Sequence, residues 1–333
     1  MNLKIDLKEE ILKLKEELDV TLVAHFYQRD EVFELADITG DSLELARKAK
    51  QSDSKYVVFC GVGFMGESVK VLSPEKTVLM PKIACCAMAR MIDEGYYEQN
   101  LKQINDAGIS NENILPITYI NSSAAVKAKV GEMGGLVCTS SNAFKIIEKG
   151  LESGKKIFFV PDRCLGQNFA KQMGLKSAIV GDGTDLKEAD IICYNGFCSV
   201  HQLFSVDDVE FYREKYPDIL VAVHPECDPS VCDAADFVGS TSQLITYIKD
   251  LPLEQKVVVG TEFNMVNRLR EKNTYILSST KPECPTMNET TLEDVYKTLK
   301  SIKDDNISEE TLIKVNDETI KWARVALNRM LEV

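Results

Sequence analysis

Three cysteines occur at matching places in a sequence pattern that this chain repeats three times. Cys86, Cys198 and Cys284 each follow the second apolar segment of one repeat. Thiolates are soft ligands that select zinc, copper(I) or iron–sulfur clusters. Three protein ligands leave one coordination position free for a substrate, which distinguishes catalytic metal sites from structural ones. The pattern therefore indicates a catalytic metal site, although three unrelated buried cysteines would also fit the spacing.

Pairs of polar residues follow the first apolar segment of each repeat. Side chains two positions apart leave the end of a strand on the same face. Histidine, tyrosine, glutamate and asparagine in such a place can orient a substrate and move protons. The pairs are His25 and Tyr27, Tyr119 and Asn121, and His224 and Glu226.

Hydroxyl residues come next in each repeat, before a helical segment. Ser42, Ser140 and Thr241 are in register, and Ser240 precedes Thr241. Backbone amides and hydroxyls at the start of a helix suit a phosphate or a carboxylate. Each residue alone would more commonly be a simple helix cap.

The elements that position these residues are alternating strands and helices. The second apolar strand follows the hydroxyl by 17 residues at Phe59, 19 at Phe159 and 18 at Val259. Alternation of this kind predicts parallel sheets covered on both faces, and such sheets bind ligands at the carboxyl ends of their strands. We therefore expect the three repeats to surround an axis and to share one central site.

Composition excludes several classes of function. The 333-residue chain carries a net charge of −13 and no basic stripe, which argues against a nucleic-acid partner. No apolar run approaches membrane-spanning length, so a cytoplasmic protein is expected. Ten cysteines are then not a disulfide framework, and Cys60, Cys138 and Cys193 are expected in the core.

The two ends of the chain are predicted to be helical. Asp6 is placed to cap the first helix. After Cys284 the pattern is helical only, with one helix opening at Thr291 and a longer one opening at Ser308 and running to about Leu331.

Longer motifs resemble the quinolinate synthase family. They run in family order from about residue 20 to residue 300. The motifs are AHFYQRDEV, ADITGDSLELA, FMGESVKVLSPEKTVLMP, TYINSSAAVKA, VCTSSNA, FVPDRCLG, NGFCSVH, HPECDPSV, ADFVGSTSQL and CPTMNETTLEDV.

The resemblance implies an α/β fold of three similar three-layer αβα units. Their parallel sheets are arranged about a pseudo-threefold axis with the active site at the centre. The expected units are residues 1–88, packed with C-terminal helices in 289–333, then residues 89–198, then residues 199–288.

The resemblance also implies one 4Fe-4S cluster held by Cys86, Cys198 and Cys284, whose unique iron acts as a Lewis acid. Family members condense iminoaspartate with dihydroxyacetone phosphate, lose phosphate and two waters, and close the ring to quinolinate for NAD biosynthesis. An aspartate-oxidising partner enzyme would supply the imine.

Roles for the remaining residues follow from the same resemblance. The hydroxyls of Ser42, Ser140, Ser240 and Thr241 should bind anionic groups. Orientation of the substrate and proton transfer fall to His25, Tyr27, Tyr119, Asn121, His224 and Glu226. Glu226 is the first choice for general base, because burial beside a dry cluster would raise the pKa of its carboxyl.

Three positions depart from the family pattern. Cys85 precedes Cys86 where the family usually has glycine, and register favours Cys86 over Cys85 as the ligand. Cys284 is followed by Pro-Thr-Met, so the CxxCxxC triplet of some members is absent. Cys164 stands where asparagine is usual.

Other functions are also consistent with the residues. One is a different 4Fe-4S enzyme of the hydro-lyase type. Another is a metal-free enzyme for a phosphorylated metabolite, in which His201 activates Cys198 as the nucleophile. A third is a non-catalytic binding protein that uses the three helix starts alone.

Overall fold

The fold contains three separate parallel sheets with helices packed around them. It was analysed as a computed structural model that describes residues 6–333. Residues 1–5 of the expected first unit lie outside this range. The three sheets confirm the α/β class and the threefold repetition predicted from the sequence.

The first sheet has the strand order β2-β1-β3-β4, with every pair parallel. Its elements are α1 Leu7–Glu17, β1 Val20–His25, α2 Asp30–Phe33, β2 Ile38–Gly40, α3 Ser42–Gln51, β3 Tyr56–Cys60, α4 Gly63–Leu72, β4 Thr77–Leu79 and α5 Ala87–Arg90. Asp6 accepts hydrogen bonds from two amides of α1, which confirms the expected cap.

The second sheet has the order β6-β5-β7-β9-β8 and carries one additional edge strand, β8. All of its pairs are parallel. Its elements are α6 Glu94–Asp106, β5 Ile114–Tyr119, α7 Ala124–Glu132, β6 Leu136–Cys138, α8 Ala143–Leu151, β7 Lys156–Val160, α9 Arg163–Gln172, β8 Ser177–Ile179 and β9 Ile191–Cys193.

The third sheet repeats the order of the first, as β11-β10-β12-β13, again all parallel. Its elements are α10 Val206–Lys215, β10 Leu220–Val223, α11 Pro229–Asp233, β11 Phe237–Val238, α12 Thr241–Asp250, β12 Val257–Gly260, α13 Phe263–Asn267 and β13 Thr274–Ile276.

The pairing register aligns the three repeats residue by residue. His25 follows the pair Ala24–Cys60, and His224 follows the pair Val223–Gly260. Tyr119 likewise comes directly after the last residue of β5 that pairs with β7. The three residues therefore leave equivalent strand ends, as the repeat predicts.

Continuous apolar strands place the core on both faces of each sheet. The central strands consist mainly of valine, isoleucine, leucine and phenylalanine, and they are almost completely buried. Strands buried on two faces show such uninterrupted apolar runs. Cys60, Cys138 and Cys193 end β3, β6 and β9 with no exposed surface, which confirms them as core residues.

The C-terminal segment forms two helices, α14 Leu292–Lys303 and α15 Asp317–Leu331. Thr291 caps α14 as predicted, but the prediction that the last helix opens at Ser308 is wrong, because Asn316 caps it. The chain before α15 instead extends along β4, where the amide of Ile313 donates to the carbonyl of Val78. Backbone pairing at the sheet edge thus replaces the first turns of the expected helix.

The C-terminal helices bridge the first two units. Helix α14 packs on α1, whereas α15 packs on α4 and, more extensively, on α7 and β6. A Cβ atom at Gly131 of α7 would lie 2.1 Å from the carbonyl oxygen of Trp322 in α15. Only glycine permits this approach of the two helix backbones. Among the described residues, no helix combines the length and apolarity that a membrane crossing requires.

One carboxylate joins the three units beside the axis. The Oδ1 atom of Asp41 caps α3 by accepting the amides of Leu43 and Glu44. Its Oδ2 atom accepts the hydroxyls of Ser141 at 2.7 Å and Ser242 at 2.6 Å. These serines precede α8 and belong to α12, so Asp41 connects helix starts from all three units.

Burial raises the pKa of the Asp41 carboxyl, but hydrogen bonds from the amide of Glu44 and from the two serine hydroxyls outweigh burial. The net pKa is therefore below its ordinary value. Because the folded-state pKa lies below the unfolded one, Asp41 stabilises the fold fully above about pH 4. That stabilisation disappears as the pH falls through the folded-state pKa.

We predict that Asp41→Asn lowers the free energy of unfolding at pH 7 by about 1–3 kcal/mol, the usual scale for hydrogen bonds to a charged group. The difference from the unaltered protein should shrink as the pH falls from about 4, where the unfolded-state carboxyl titrates, through the lower folded-state pKa. Denaturant titrations of both proteins at several pH values measure this difference in the free energy of unfolding.

The matched control is Asp6→Asn, because Asp6 caps α1 at the exposed surface. It should cost less than Asp41→Asn at pH 7. Equal losses for the two substitutions would show that Asp41 acts as an ordinary helix cap and does not join the units.

Candidate functional site

A cavity lies where the carboxyl ends of the three sheets meet, with about 650 Å³ of empty space that includes space open to solvent. Concave sites of this kind are where small metabolites usually bind. Twelve of the thirteen predicted site residues line it. They are His25, Tyr27, Ser42, Cys86, Tyr119, Asn121, Ser140, Cys198, His224, Glu226, Thr241 and Cys284.

The three repeat cysteines come from three different units and reach this cavity. Cys86 directly precedes α5, while Cys198 and Cys284 lie just before short 3-10 turns. Each sulfur accepts at least one backbone N–H: from Ala89 and Met88 for Cys86, from His201 for Cys198, and from Met287 and Thr286 for Cys284. Cys85 is exposed and does not line the cavity.

The three thiols are close enough to influence one another. Burial, with a smaller contribution from the neighbouring Cys284, raises the pKa of Cys86 to about 12. Burial also raises the pKa of Cys198, with added contributions from Glu226, Cys86 and Cys284. Three thiolates can therefore coexist here only with a cationic group among them. Amide donors to each sulfur also stabilise thiolate ligands.

His25 and His224 have the same local arrangement in two repeats. The Nδ1 atom of each ring accepts the backbone N–H two residues later, at 3.1 Å from Tyr27 and 3.3 Å from Glu226. Burial lowers the pKa of His25 to about 4 and that of His224 to about 3. Both rings are thus neutral near pH 7, with their proton on Nε2. In His224 this atom lies 3.2 Å from the Ser140 hydroxyl.

Glu226 is buried at the centre of the polar groups. Its Oε2 atom lies 2.7 Å from Nδ1 of His201, and the Tyr119 hydroxyl donates to it. Burial raises the pKa of the Glu226 carboxyl, but His201, His224 and Tyr119 shift it the other way, and the net pKa lies below its ordinary value. The expectation of a raised pKa is therefore wrong, because a buried imidazole faces the carboxylate.

A chain of hydrogen bonds continues from His201 across the cavity. Its Nε2 atom lies 3.1 Å from the hydroxyl of Thr261, which lies 3.1 Å from the hydroxyl of Tyr27. The Tyr27 hydroxyl also lies 3.0 Å from that of Thr241. The chain links a carboxylate to a phenol through an imidazole and a hydroxyl, a connection along which protons can move.

The predicted helix-start residues divide into two kinds. Ser42 and Thr241 are the first residues of α3 and α12, and neighbouring residues cap these helices. Their hydroxyls therefore remain available to the cavity. Ser240 does not line the cavity, which corrects its prediction as a binding residue: it is completely buried and caps α12 through the amide of Gln243. The Oδ1 atom of Asn121 is buried without a hydrogen-bond partner.

Four residues of the site were not among the predicted site residues: Asp41, His201 and Glu262 line the cavity, and Thr261 is hydrogen-bonded to Tyr27. Asp41 adjoins the hydroxyl position of its repeat, and Thr261 and Glu262 follow the end of β12, so the repeat register contained a signal for all three. Glu262 caps α13 and accepts the amide of Cys284 at 3.3 Å. Burial raises the pKa of Glu262 to about 8.

One group of side chains could hold a metal ion directly. Cys198, His201 and Glu226 each offer a ligand atom, and these atoms lie within 4.8 Å of one another. Sulfur, imidazole and carboxylate together suit zinc or iron. The cavity thus fits a metal site through this group.

Comparisons with known proteins agree with these features. Residues 9–332 match the model of the Quinolinate synthetase A protein family. The chain is 57% identical to the quinolinate synthase of Helicobacter pylori (strain HPAG1), with 98% of both chains covered. It is 42% identical to that of Acidobacterium capsulatum, covering 94% of this chain and 88% of the relative. It is 39% identical to that of Streptomyces coelicolor, covering 94% and 84%. The chain belongs to the quinolinate synthetase A protein family.

Proposed function

We propose that this protein is a quinolinate synthase, which condenses iminoaspartate with dihydroxyacetone phosphate to give quinolinate, phosphate and two waters. The observation that carries the proposal is the convergence of one cysteine from each unit on the cavity that holds the histidines, hydroxyls and Glu226. The activity belongs to the pathway of NAD synthesis.

Cys86, Cys198 and Cys284 would hold a 4Fe-4S cluster. Its positive iron atoms would offset the thiolate charges that burial disfavours, and the amide donors at each sulfur support this ligand set. When bound, the cluster supplies a Lewis acid at the one iron that has no cysteine ligand. The alternative of a single ion held by Cys198, His201 and Glu226 would leave Cys86 and Cys284 without a role as ligands.

Neutral donors would bind the anionic substrates. The described lining of the cavity contains no lysine or arginine. Hydroxyls at helix starts and the N–H groups of two neutral imidazoles would take the place of cationic side chains as donors to the anion. The N-termini of the helices also favour negative charge. We assign anion binding to Ser42, Ser140 and Thr241, and orientation to His25, Tyr119, Asn121 and His224.

Glu226 and His201 would handle protons together. The lowered pKa keeps Glu226 ionised near pH 7, so its carboxylate can accept a proton or orient the facing imidazole. Ring formation requires protons to leave carbon atoms and oxygen atoms to leave as water. The hydrogen-bonded chain from His201 through Thr261 to Tyr27 connects groups that can accept and return these protons. We retain Glu226 as the general base.

A metal-free cysteine nucleophile is less well supported. In such an enzyme a histidine must face the thiol and lower its pKa. Here the ring nitrogens of His201 lie 2.7 Å from Glu226 and 3.1 Å from Thr261, so both already have partners although Cys198 lies nearby. The pKa of Cys198 is also raised by burial.

The proposal also covers the unit boundaries, the cellular location and the source of the substrate. We propose unit boundaries at residues 1–88, 89–198 and 199–288, with C-terminal helices in 289–333. A cytoplasmic location and delivery of iminoaspartate by an aspartate-oxidising enzyme are proposed on family resemblance.

We predict that protein purified without oxygen contains iron and sulfide and forms quinolinate from iminoaspartate and dihydroxyacetone phosphate. Replacing Cys86, Cys198 or Cys284 by serine should remove the iron or make it labile, because serine is a harder and poorer ligand. Iron analysis and chromatographic detection of quinolinate measure both outcomes.

Cys85→Ser is the matched control, since it changes the adjacent but exposed thiol and should keep iron and activity. Iron-free material that makes no quinolinate would contradict the proposal and favour a binding protein. Loss of iron in Cys85→Ser with retention in Cys86→Ser would overturn the ligand assignment.

For the general base, we predict that Glu226→Gln keeps its iron but loses turnover by about a hundredfold or more, the scale for a positioned acid–base group. Glutamine keeps the shape of the side chain but does not accept a proton as a carboxylate does. Steady-state rates at matched iron content provide the measurement.

Tyr27→Phe serves as the comparison, because it removes the far end of the hydrogen-bonded chain while leaving Glu226 and His201 in place. A smaller loss of turnover is expected. Nearly full turnover in Glu226→Gln would instead assign the base to another residue, with His224 and then His25 examined next.

A further inference from the structure

A lysine is completely buried beside the cavity. Lys127 lies in α7, and none of its surface is exposed. Its ammonium donates to the carbonyl of Ile120 at 2.7 Å and to that of Ser122. The ammonium also lies 5.4 Å from the ring centroid of Phe64. These three contacts are all with neutral groups.

These contacts hold the turn that carries Asn121. Ile120 and Ser122 are its two chain neighbours, and Asn121 places a buried, unpartnered Oδ1 atom at the cavity. Phe64 lines the same cavity from the first unit. The ammonium therefore lies between two walls of the cavity that come from different units.

A second contact strengthens the connection between these units. The carboxylate of Glu67 in α4 accepts the amide of Ala124, at the start of α7, at 2.7 Å. Burial lowers the pKa of Lys127 to about 7, and Glu67 acts in the opposite direction. A buried cation is costly, and an apolar side chain would fill this helix position with less penalty. The cost is offset if the lysine fixes a geometry that catalysis needs.

We propose that Lys127 is a positioning residue that fixes the amide of Asn121 for substrate. Lys127 does not touch the substrate itself and acts through the backbone on either side of Asn121. The inference rests on the proposed function and adds to it a residue that lies outside the cavity lining.

A double-mutant cycle tests the proposal. Lys127→Met keeps the length of the side chain but removes its charge and donors. It should lower kcat/KM by about tenfold to a hundredfold, the cost of a misplaced binding group. In an Asn121→Ala background the same change should cost less than about twofold, because residues that act through one another are not additive. Equal losses in both backgrounds would overturn the proposal.

Lys70→Met is the matched control. Lys70 also donates to two backbone carbonyls, of Pro74 and Lys76, at 2.7 and 2.8 Å, in a turn away from the cavity. It should leave kcat/KM within about twofold of the unaltered protein, as surface changes far from a site do. If Lys127→Met yields no folded protein, Lys127→Gln replaces it, and the same non-additivity is expected.

Hydrogen exchange separates this inference from the proposed function. Amides of residues 120–124 should exchange faster in Lys127→Met than in Lys70→Met, whether or not the protein makes quinolinate. Unchanged exchange in this segment would overturn the positioning role. A second outcome separates the two proposals. If the unaltered protein forms no quinolinate, the proposed function is rejected. Faster exchange in Lys127→Met would still support the structural role of Lys127.

Discussion

The structure depends on the meeting of three parallel sheets at their carboxyl ends. Each unit supplies one cysteine and a similar set of polar residues, so no unit contains the site alone. The carboxylate of Asp41 stabilises this meeting because it accepts hydroxyls from the other two units. The contact of His224 with Ser140 joins the remaining pair of units, and that of Tyr27 with Thr241 adds a second bond between the first and third units. Assembly of the units and formation of the site are therefore one event.

Burial at this junction determines the charge state of the site. It keeps His25 and His224 neutral and raises the pKa of the cysteines. Glu226 differs because His201 faces it closely. Two carboxyl groups on one cavity thus have pKa values shifted in opposite directions, down for Glu226 and up for Glu262. Such a separation is typical of sites that carry out both proton removal and proton donation.

The sequence predicted the features that repeat and missed those that depend on tertiary contacts. Strand ends, helix starts and ligand cysteines follow a register visible in one chain, and the cavity contains nearly all of them. The pairing of His201 with Glu226 depends on how the segment after Cys198 folds against the end of β10, so the direction of the Glu226 pKa shift could not be predicted. Ser240 and Thr241 are adjacent hydroxyls, and only the helix geometry shows that Ser240 is the cap. The start of α15 was misplaced because sheet-edge pairing of residues 311–313 overrides local helix signals.

We propose that the three units hold one iron–sulfur cluster at their junction. Anomalous diffraction at the iron absorption edge, from crystals grown without oxygen, would locate it. We expect a single iron cluster bonded to the sulfurs of Cys86, Cys198 and Cys284, with one iron lacking a cysteine ligand. A lone metal ion bound by Cys198, His201 and Glu226, or a junction without iron in such crystals, would contradict it.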